Sequence, residues 1–187
     1  MSDAEFFAGL TGGQQDFARA VEALRTANRP FCLIGGLAIN HYVEPVVTLD
    51  ADFALAGSGG IAEALRKAGF EVEEFPYSLN ALFPGSRLRF QLTLNGRYGA
   101  FPSRAVETEL FGVRVPVAAL EDLVQGKLWA ASDPARRASK RAKDEADLVR
   151  ICESYPHMLA LIARGLFKRV DELRELSSAP KPPSSLT

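Results

Sequence analysis

The sequence has few cysteines and almost no imbalance of charge. Its 187 residues include two cysteines, Cys32 and Cys152, each in an apolar segment and without the spacing of a metal site. This pattern excludes a disulfide framework and is typical of small core residues in a reduced, intracellular protein. Lysine and arginine number 22 against 23 acidic residues. We therefore expect no global attraction to nucleic acid or to an anionic membrane.

Long apolar runs and targeting signals are also missing. The sequence has no stretch of 18 consecutive apolar residues, and its first ten residues lack a basic segment followed by an apolar one. These absences predict a cytoplasmic protein without a membrane partner. Histidine is scarce as well: His41 and His157 have no third ligand at a suggestive spacing. We interpret both histidines as structural.

The most informative stretch runs from residue 31 to residue 55. A short apolar segment meets the Gly35-Gly36 pair, and after a helix-compatible spacer an alternating segment carries Asp50 and Asp52. Residues two apart in an extended strand share a face, so both carboxylates are expected to point the same way. Such a pair repels itself unless a positive charge lies close to both side chains.

Two interpretations of this acidic pair are open. In one, the first aspartate caps a turn and the second merely faces solvent. In the other, both bind one hard cation, for which Mg²⁺ is the natural candidate because it prefers carboxylate and phosphate oxygens. The glycine pair favours the second interpretation, because glycines between a strand and a helix let backbone N–H groups approach an anion closely.

A second polar strand is predicted between residues 87 and 94. Arg87, Arg89, Gln91 and Thr93 alternate with apolar residues, which is typical of a strand with one face buried and one face polar. Elsewhere the patterns predict helices over 14–27, 37–42, 61–68, 118–131 and 134–152, with Asp133 as the N-cap of the last, and short helices near 158–163 and 167–176. Further strands are predicted over 70–75, 105–109 and 113–117.

These residues resemble the nucleotidyltransferase superfamily, whose pattern is an apolar residue, a glycine pair, a spacer and two aspartates in a strand. Here it reads Ile34-Gly35-Gly36, then Asp50-Ala51-Asp52, with Thr48 at the usual threonine position. Two later segments are similar to small stand-alone members typified by abortive-infection nucleotidyltransferase toxins. They comprise Val115-Pro116-Val117, Leu120, Asp122-Leu123 and Lys127, and then Lys143-Asp144-Glu145-Ala146-Asp147-Leu148.

The resemblance implies an α/β fold with a mixed sheet of about five strands flanked by helices and a helical C-terminal part. The expected organisation is a nucleotidyltransferase-like core over residues 1–118 and a helical part over 119–176 packed on it. A Pro/Ser-rich tail over 177–187 is expected to be disordered.

The implied reaction moves a nucleoside monophosphate from an NTP to a hydroxyl acceptor on RNA, a protein or a small molecule. Asp50 and Asp52 would be catalytic residues and ligands of Mg²⁺. The residues implied to bind nucleotide are Gly35, Gly36, Thr48, Lys127, Lys143 and Asp144. A toxin-type enzyme is one form that this activity takes.

Two positions depart from the family pattern. Gln91 stands at the implied catalytic position where relatives carry a third carboxylate, and Val46 stands where they often carry an arginine. A glutamine has no charge and cannot accept a proton at neutral pH, so Glu44 and Asp144 are candidates for a substitute base. The alternative function is a nucleotide-binding or partner-binding module that has lost turnover.

The basic residues near the C-terminal part have two interpretations each. Lys127 borders an apolar helical stripe, where a lysine commonly extends its stem along apolar surface, but it could also bind phosphate. Five basic residues within eight positions form either a solvated helix face or a surface that steers a polyanion. These residues are Arg136, Arg137, Lys140, Arg141 and Lys143.

Overall fold

A computed structural model describes residues 14–57 and 59–163. The helix predicted near 167–176 and the tail predicted over 177–187 lie outside the described residues. The chain forms two compact units, one up to Leu123 and the other from Val124 onward. The organisation into residues 1–118, 119–176 and 177–187 stays a prediction.

The first unit alternates helices with strands. In chain order its elements are α1 (Gln14–Thr26), β1 (Phe31–Ile34), α2 (Gly35–Tyr42), β2 (Asp50–Leu55), α3 (Ile61–Lys67), β3 (Glu71–Phe75), β4 (Ser78–Leu82), β5 (Arg89–Thr93), β6 (Val106–Leu110) and β7 (Val113–Val117). Helix α4 (Leu120–Ser132) crosses the boundary between the units. The second unit continues with α5 (Ala138–Ser154) and α6 (Leu159–Ile162). No helix within residues 14–57 and 59–163 has the length and apolar character that a membrane span requires.

The strands form one mixed sheet in the order β3-β4-β5-β2-β1-β7-β6. Strand β2 pairs antiparallel with β1 and parallel with β5, and β1 pairs parallel with β7. The predicted α/β fold with a mixed sheet is confirmed. The sheet has seven strands where about five were expected. Six of these strands were predicted individually from local patterns. The strand that was not predicted is β4, which is stabilised by pairing with a neighbour on each side rather than by a strong local pattern.

The two faces of this sheet differ in what covers them. Phe53 of β2 and Phe90 of β5 are each 1% exposed and belong to the core. Phe17 of α1 stacks on Phe53 with ring centroids 6.3 Å apart, so α1 covers this face. Alternation then directs Asp50 and Asp52 to the opposite face. The predicted polar face of β5 lies beside them, since Gln91 is exposed while Phe90 is buried.

The start of α5 differs from the prediction. Asp133 does not cap this helix: its Oδ1 accepts a hydrogen bond from the backbone N–H of Ala135 at 2.9 Å, which closes a local turn. The helix begins at Ala138, five residues later than the predicted cap, and follows Arg137, which has φ −53° and ψ 139°. The bond of Asp133 lies within its own turn, and a local side-chain bond of this kind competes with helix capping.

Candidate active site

Gly35 brings the start of α2 into contact with Asp52. The helix begins at the glycine itself, directly after Ile34, whose β1 position pairs with Asp52 of β2. Gly35 has φ +70°, and a Cβ on it would overlap the Asp52 carboxylate, whose Cγ lies 2.8 Å from that position. Only glycine fits both constraints. The Asp52 carboxylate therefore lies at a helix N-terminus, where the helix dipole favours negative charge.

Asp50 lies on the same face as Asp52 and is paired with an arginine. The parallel register of β2 and β5 places Asp50 opposite Arg89 and Asp52 opposite Gln91. Both Nε and Nη2 of Arg89 lie 2.8 Å from Oδ1 of Asp50. The Asp50 side chain is 16% exposed and that of Arg89 is 59% exposed. Each carboxylate thus has its own source of positive potential, a guanidinium in one case and a helix terminus in the other.

Thr48 and Gly36 complete the first-unit part of the predicted site. The Thr48 hydroxyl donates to the backbone carbonyl of Asp50 and accepts from its N–H, both at 3.3 Å. A Cβ on Gly36 would lie 3.8 Å from Oγ1 of Thr48, an ordinary contact. The backbone at Val46, two residues earlier, is held by the Asn40 side chain at 2.7 and 3.1 Å. The loop before β2 is therefore fixed at both of these points.

The donor set around Asp50 and Asp52 suits a magnesium ion that is shared with a substrate. No group of three or more His, Cys, Asp or Glu side chains within the described part of the chain is arranged to hold a metal. Magnesium in nucleotide enzymes commonly uses one or two carboxylates, substrate phosphates and water. The two aspartates fit that requirement, and the Gln91 amide on the neighbouring strand adds an uncharged oxygen.

Lys127 lies in a buried cluster of charges in the second unit, which we call the Lys127 cluster. Its Nζ is 2.8 Å from Oδ1 of Asp144 and 2.6 Å from Oδ2 of Asp147. Arg136 Nε lies 2.7 Å from the other oxygen of Asp144, and Arg150 Nη1 lies 2.8 Å from the other oxygen of Asp147. Both aspartates are 3% exposed. The cluster joins α4 to α5.

The charge of Lys127 is stabilised by this cluster. Burial by itself would lower the pKa of Lys127, but the charges of Asp147 and Asp144 and their hydrogen bonds outweigh burial and raise the pKa above its ordinary value. Lys143, the other predicted phosphate ligand, has an exposed side chain on α5. The second unit therefore brings Lys127 and Asp144 together, and it leaves Lys143 on the surface.

The free energy of unfolding should fall at alkaline pH because of Lys127. Its pKa is raised in the folded state, so its contribution is complete below the unfolded value of about 10.4 and is lost as pH rises through the folded value. Urea unfolding at a series of pH values from 8 to 12 measures this loss. Lys127→Arg is the control, because arginine stays charged over that range and the decline should be shallower. Equal declines in both proteins would contradict this explanation.

Another buried aspartate, Asp122, lies in the first unit. Arg104 binds both of its oxygens, with Nε 3.0 Å from Oδ2 and Nη2 2.6 Å from Oδ1.

Burial, aided by the charge of Asp122, raises the pKa of Cys32 to about 12. Cys32 and Cys152 are both free and buried, in agreement with the prediction that they are core residues.

The chain is similar to known proteins in its three-dimensional structure. No protein-family model matches the chain, and no curated protein sequence matches it. The antibiotic-resistance factor ANT(2'')-Ia is similar in structure with a TM-score of 0.57 and 16% identity, over 87% of this chain and 95% of that one. An antigenic nucleotidyltransferase-like protein from Paracoccidioides brasiliensis is similar with a TM-score of 0.54 and 16% identity, over 90% and 94%. The chain has the nucleotidyltransferase fold.

A further structure of ANT(2'')-Ia with this nucleotidyltransferase fold is a complex with adenylyl-2''-tobramycin, and it is similar with a TM-score of 0.54 and 16% identity, over 89% of this chain and 97% of that one. The predicted resemblance is thereby confirmed for the fold. The roles of the individual site residues stay predictions.

Sequence reasoning missed several partners of the predicted site residues. It did not pair Arg89 with Asp50, although Arg89 was on the predicted polar face of β5. It also missed that Asp147, Arg136 and Arg150 join the Lys127 cluster. A signal for Asp147 was available, because residues three apart on a helix share a face and Asp144 was already a candidate.

Proposed function

We propose that the protein transfers a nucleoside monophosphate from an NTP to a hydroxyl acceptor. The observation that carries this proposal is the position of the Asp52 carboxylate against Gly35 at the start of α2, with Asp50 on the same strand face. This arrangement supplies two anionic oxygen donors beside a helix N-terminus that favours anions. The nucleotidyltransferase fold supports the same activity.

In the proposed reaction the acceptor oxygen bonds to the α-phosphorus, and the bond from that phosphorus to the β-phosphate oxygen breaks. Pyrophosphate leaves, and the acceptor proton passes to a base or to water. Asp50 and Asp52 would hold Mg²⁺, which when bound neutralises charge on the phosphates. The backbone N–H groups of Gly35 and Gly36 bind phosphate oxygens, and Thr48 holds the start of β2 in place.

The proton acceptor of the proposed reaction has two candidates, because Gln91 stands where a third carboxylate is implied. Gln91 cannot accept a proton at neutral pH. Both oxygens of Asp144 already bind cations, Lys127 and Arg136. Glu44 is exposed on the loop that follows α2, and it stays a proposed substitute base together with Asp144. Lys127, Lys143 and Asp144 stay proposed nucleotide-binding residues.

The acceptor class includes RNA, protein and small molecules. The complex of ANT(2'')-Ia with adenylyl-2''-tobramycin supports a small hydroxylated acceptor as one option for this chain. Toxin-type modification of an RNA or a protein is the other option, and it rests on the resemblance of residues 30–150 to the toxin relatives.

Label transfer tests the proposal. Purified protein is incubated with Mg²⁺, each α-labelled NTP in turn, and either cell extract or a mixture of aminoglycosides. We expect a labelled product whose rate of formation falls by about 10³-fold in Asp50→Asn and Asp52→Asn, because each removes a charge that acts on the transferring phosphate. Glu74→Gln, which changes an exposed carboxylate of β3, is the matched control. Transfer that is equal in all four proteins would contradict the proposal.

A second candidate function is favoured by Gln91. Its exposed amide stands opposite Asp52 in the β2–β5 register, where a third carboxylate is implied. A module that binds Mg-NTP without turnover would give binding but no labelled product in the same assay. In that case Gln91→Asp should give labelled product at about 10²-fold or more above the background of the assay. Asn80→Asp is the control, because Asn80 of β4 also pairs with Gln91 but on the side away from Asp52.

A further inference from the structure

Arg89 pairs with one carboxylate oxygen of Asp50, which is one of the two proposed cation ligands. Two nitrogens of its guanidinium lie 2.8 Å from Oδ1 of Asp50. The Arg89 side chain is 59% exposed, so it can move away from Asp50 without opening the core. Exposed ion pairs of this kind are weak, because solvent screens them and ordering the side chains costs entropy. A ligand with a higher charge can therefore compete for either partner.

The balance of charge on this face depends on Arg89. Asp50, Asp52 and Arg89 together carry one net negative charge, and without Arg89 the two carboxylates carry two. A bare divalent cation is attracted more strongly to the second arrangement. A magnesium-nucleoside triphosphate complex is itself an anion, so the same two carboxylates repel it more strongly once Arg89 is absent. Removal of Arg89 should thus raise the affinity for a bare divalent cation and lower the affinity for Mg-NTP.

We propose that Arg89 is a nucleotide-binding residue that releases Asp50 when a cation arrives together with a triphosphate. Its planar guanidinium then binds phosphate oxygens, for which its fork of N–H donors is well suited. Before that exchange, the pairing with Arg89 keeps Asp50 from binding a cation alone. This inference rests on the proposed function, because it assumes that Asp50 and Asp52 meet a metal-bound triphosphate.

Calorimetric titration tests the role of Arg89 without measuring activity. The ligands are Mn²⁺ alone and Mg²⁺ with each of the four NTPs, and the proteins are the wild type, Arg89→Ala, Arg89→Lys and Arg66→Ala. We expect Arg89→Ala to bind Mn²⁺ about three- to tenfold more tightly and Mg-NTP about tenfold more weakly, the size expected from loss of one partly screened charge. Arg89→Lys keeps the charge and should stay closer to the wild type for both ligands.

Arg66→Ala is the matched control for the loss of an arginine. Arg66 forms an exposed ion pair with Glu74 at 2.8 Å. The strand register and the alternation along β3 place Glu74 on the sheet face opposite to that of Asp50. Arg66→Ala should leave the affinities for Mn²⁺ and for Mg-NTP unchanged. If Arg89→Ala changes both affinities in the same direction, or changes neither, the proposed role of Arg89 is overturned.

Asp52→Asn separates this inference from the proposed function. If wild-type protein binds Mg-NTP and Asp52→Asn does not, the proposed function survives whatever Arg89→Ala shows. If wild-type protein binds no NTP, or Asp52→Asn binds it equally well, the proposed function fails and the role of Arg89 fails with it.

Discussion

Replacing Gly35 by alanine is expected to destabilise the protein and to remove most of its affinity for Mg-NTP. A Cβ on Gly35 would overlap the Asp52 carboxylate, and the φ of +70° is already unfavourable for any residue with a side chain. The left-handed conformation costs about 1–2 kcal/mol, and displacement of Asp52 adds to it. We expect a loss of about 2–4 kcal/mol in the free energy of unfolding, within the range of strained substitutions.

Gly36→Ala is the matched control for this prediction. The adjacent glycine has room for a Cβ, whose nearest neighbour would be Oγ1 of Thr48 at 3.8 Å. Alanine favours the helical conformation, so Gly36→Ala should leave the free energy of unfolding equal or slightly higher. Urea unfolding of both variants gives the comparison of stability, and Mg-NTP titration compares Gly35→Ala with the wild type. Equal free energies of unfolding for the two variants would contradict the proposed overlap between a Gly35 side chain and Asp52.

Replacing Lys127 by methionine is also expected to cause a large loss of stability. Methionine fills a similar volume but leaves Asp144 and Asp147, each 3% exposed, without the ammonium group that lies between them. Removing one member of a buried ion pair costs about 3–5 kcal/mol, because the remaining charge stays buried without its partner. Arg136 and Arg150 still bind the outer oxygens, so the loss should fall toward the lower end of that range.

Urea unfolding of Lys127→Met and Lys143→Met measures this effect. Lys143 is exposed on α5, and its replacement should change the free energy of unfolding by no more than about 0.5 kcal/mol. A loss below about 1 kcal/mol for Lys127→Met, the size of a surface ion pair, would contradict the stabilising role of the Lys127 cluster. The proposed role of Lys127 in binding phosphate does not depend on this result.

The centre of the candidate site could be predicted because its pattern is local. A strand, a glycine pair and two aspartates at a spacing of two are visible in residues 31–55, and alternation alone puts both carboxylates on one face. The polar face of β5 was predictable for the same reason. The structure adds the reason why position 35 requires glycine: a Cβ there would overlap the Asp52 carboxylate.

Long-range pairing explains what the sequence did not predict. Arg89 and Asp50 are 39 positions apart, and only the parallel register of β2 with β5 brings them together. Lys127 had two plausible roles, and its pairing with Asp144, 17 positions later, depends on how α4 and α5 pack. Strand β4 was missed because its stability comes from two neighbouring strands. The prediction that Asp133 is the N-cap of α5 was wrong, because its side chain accepts a hydrogen bond within its own turn.

The most direct test of the account is the location of a bound metal. Crystals grown with Mn²⁺ and a non-hydrolysable NTP analogue would show manganese by its anomalous scattering. We predict a peak within about 2.0–2.3 Å of carboxylate oxygens from both Asp50 and Asp52, in contact with the triphosphate, as for other hard cations bound by oxygen. Nucleotide bound elsewhere in the crystal, with no manganese at these two aspartates, would contradict it.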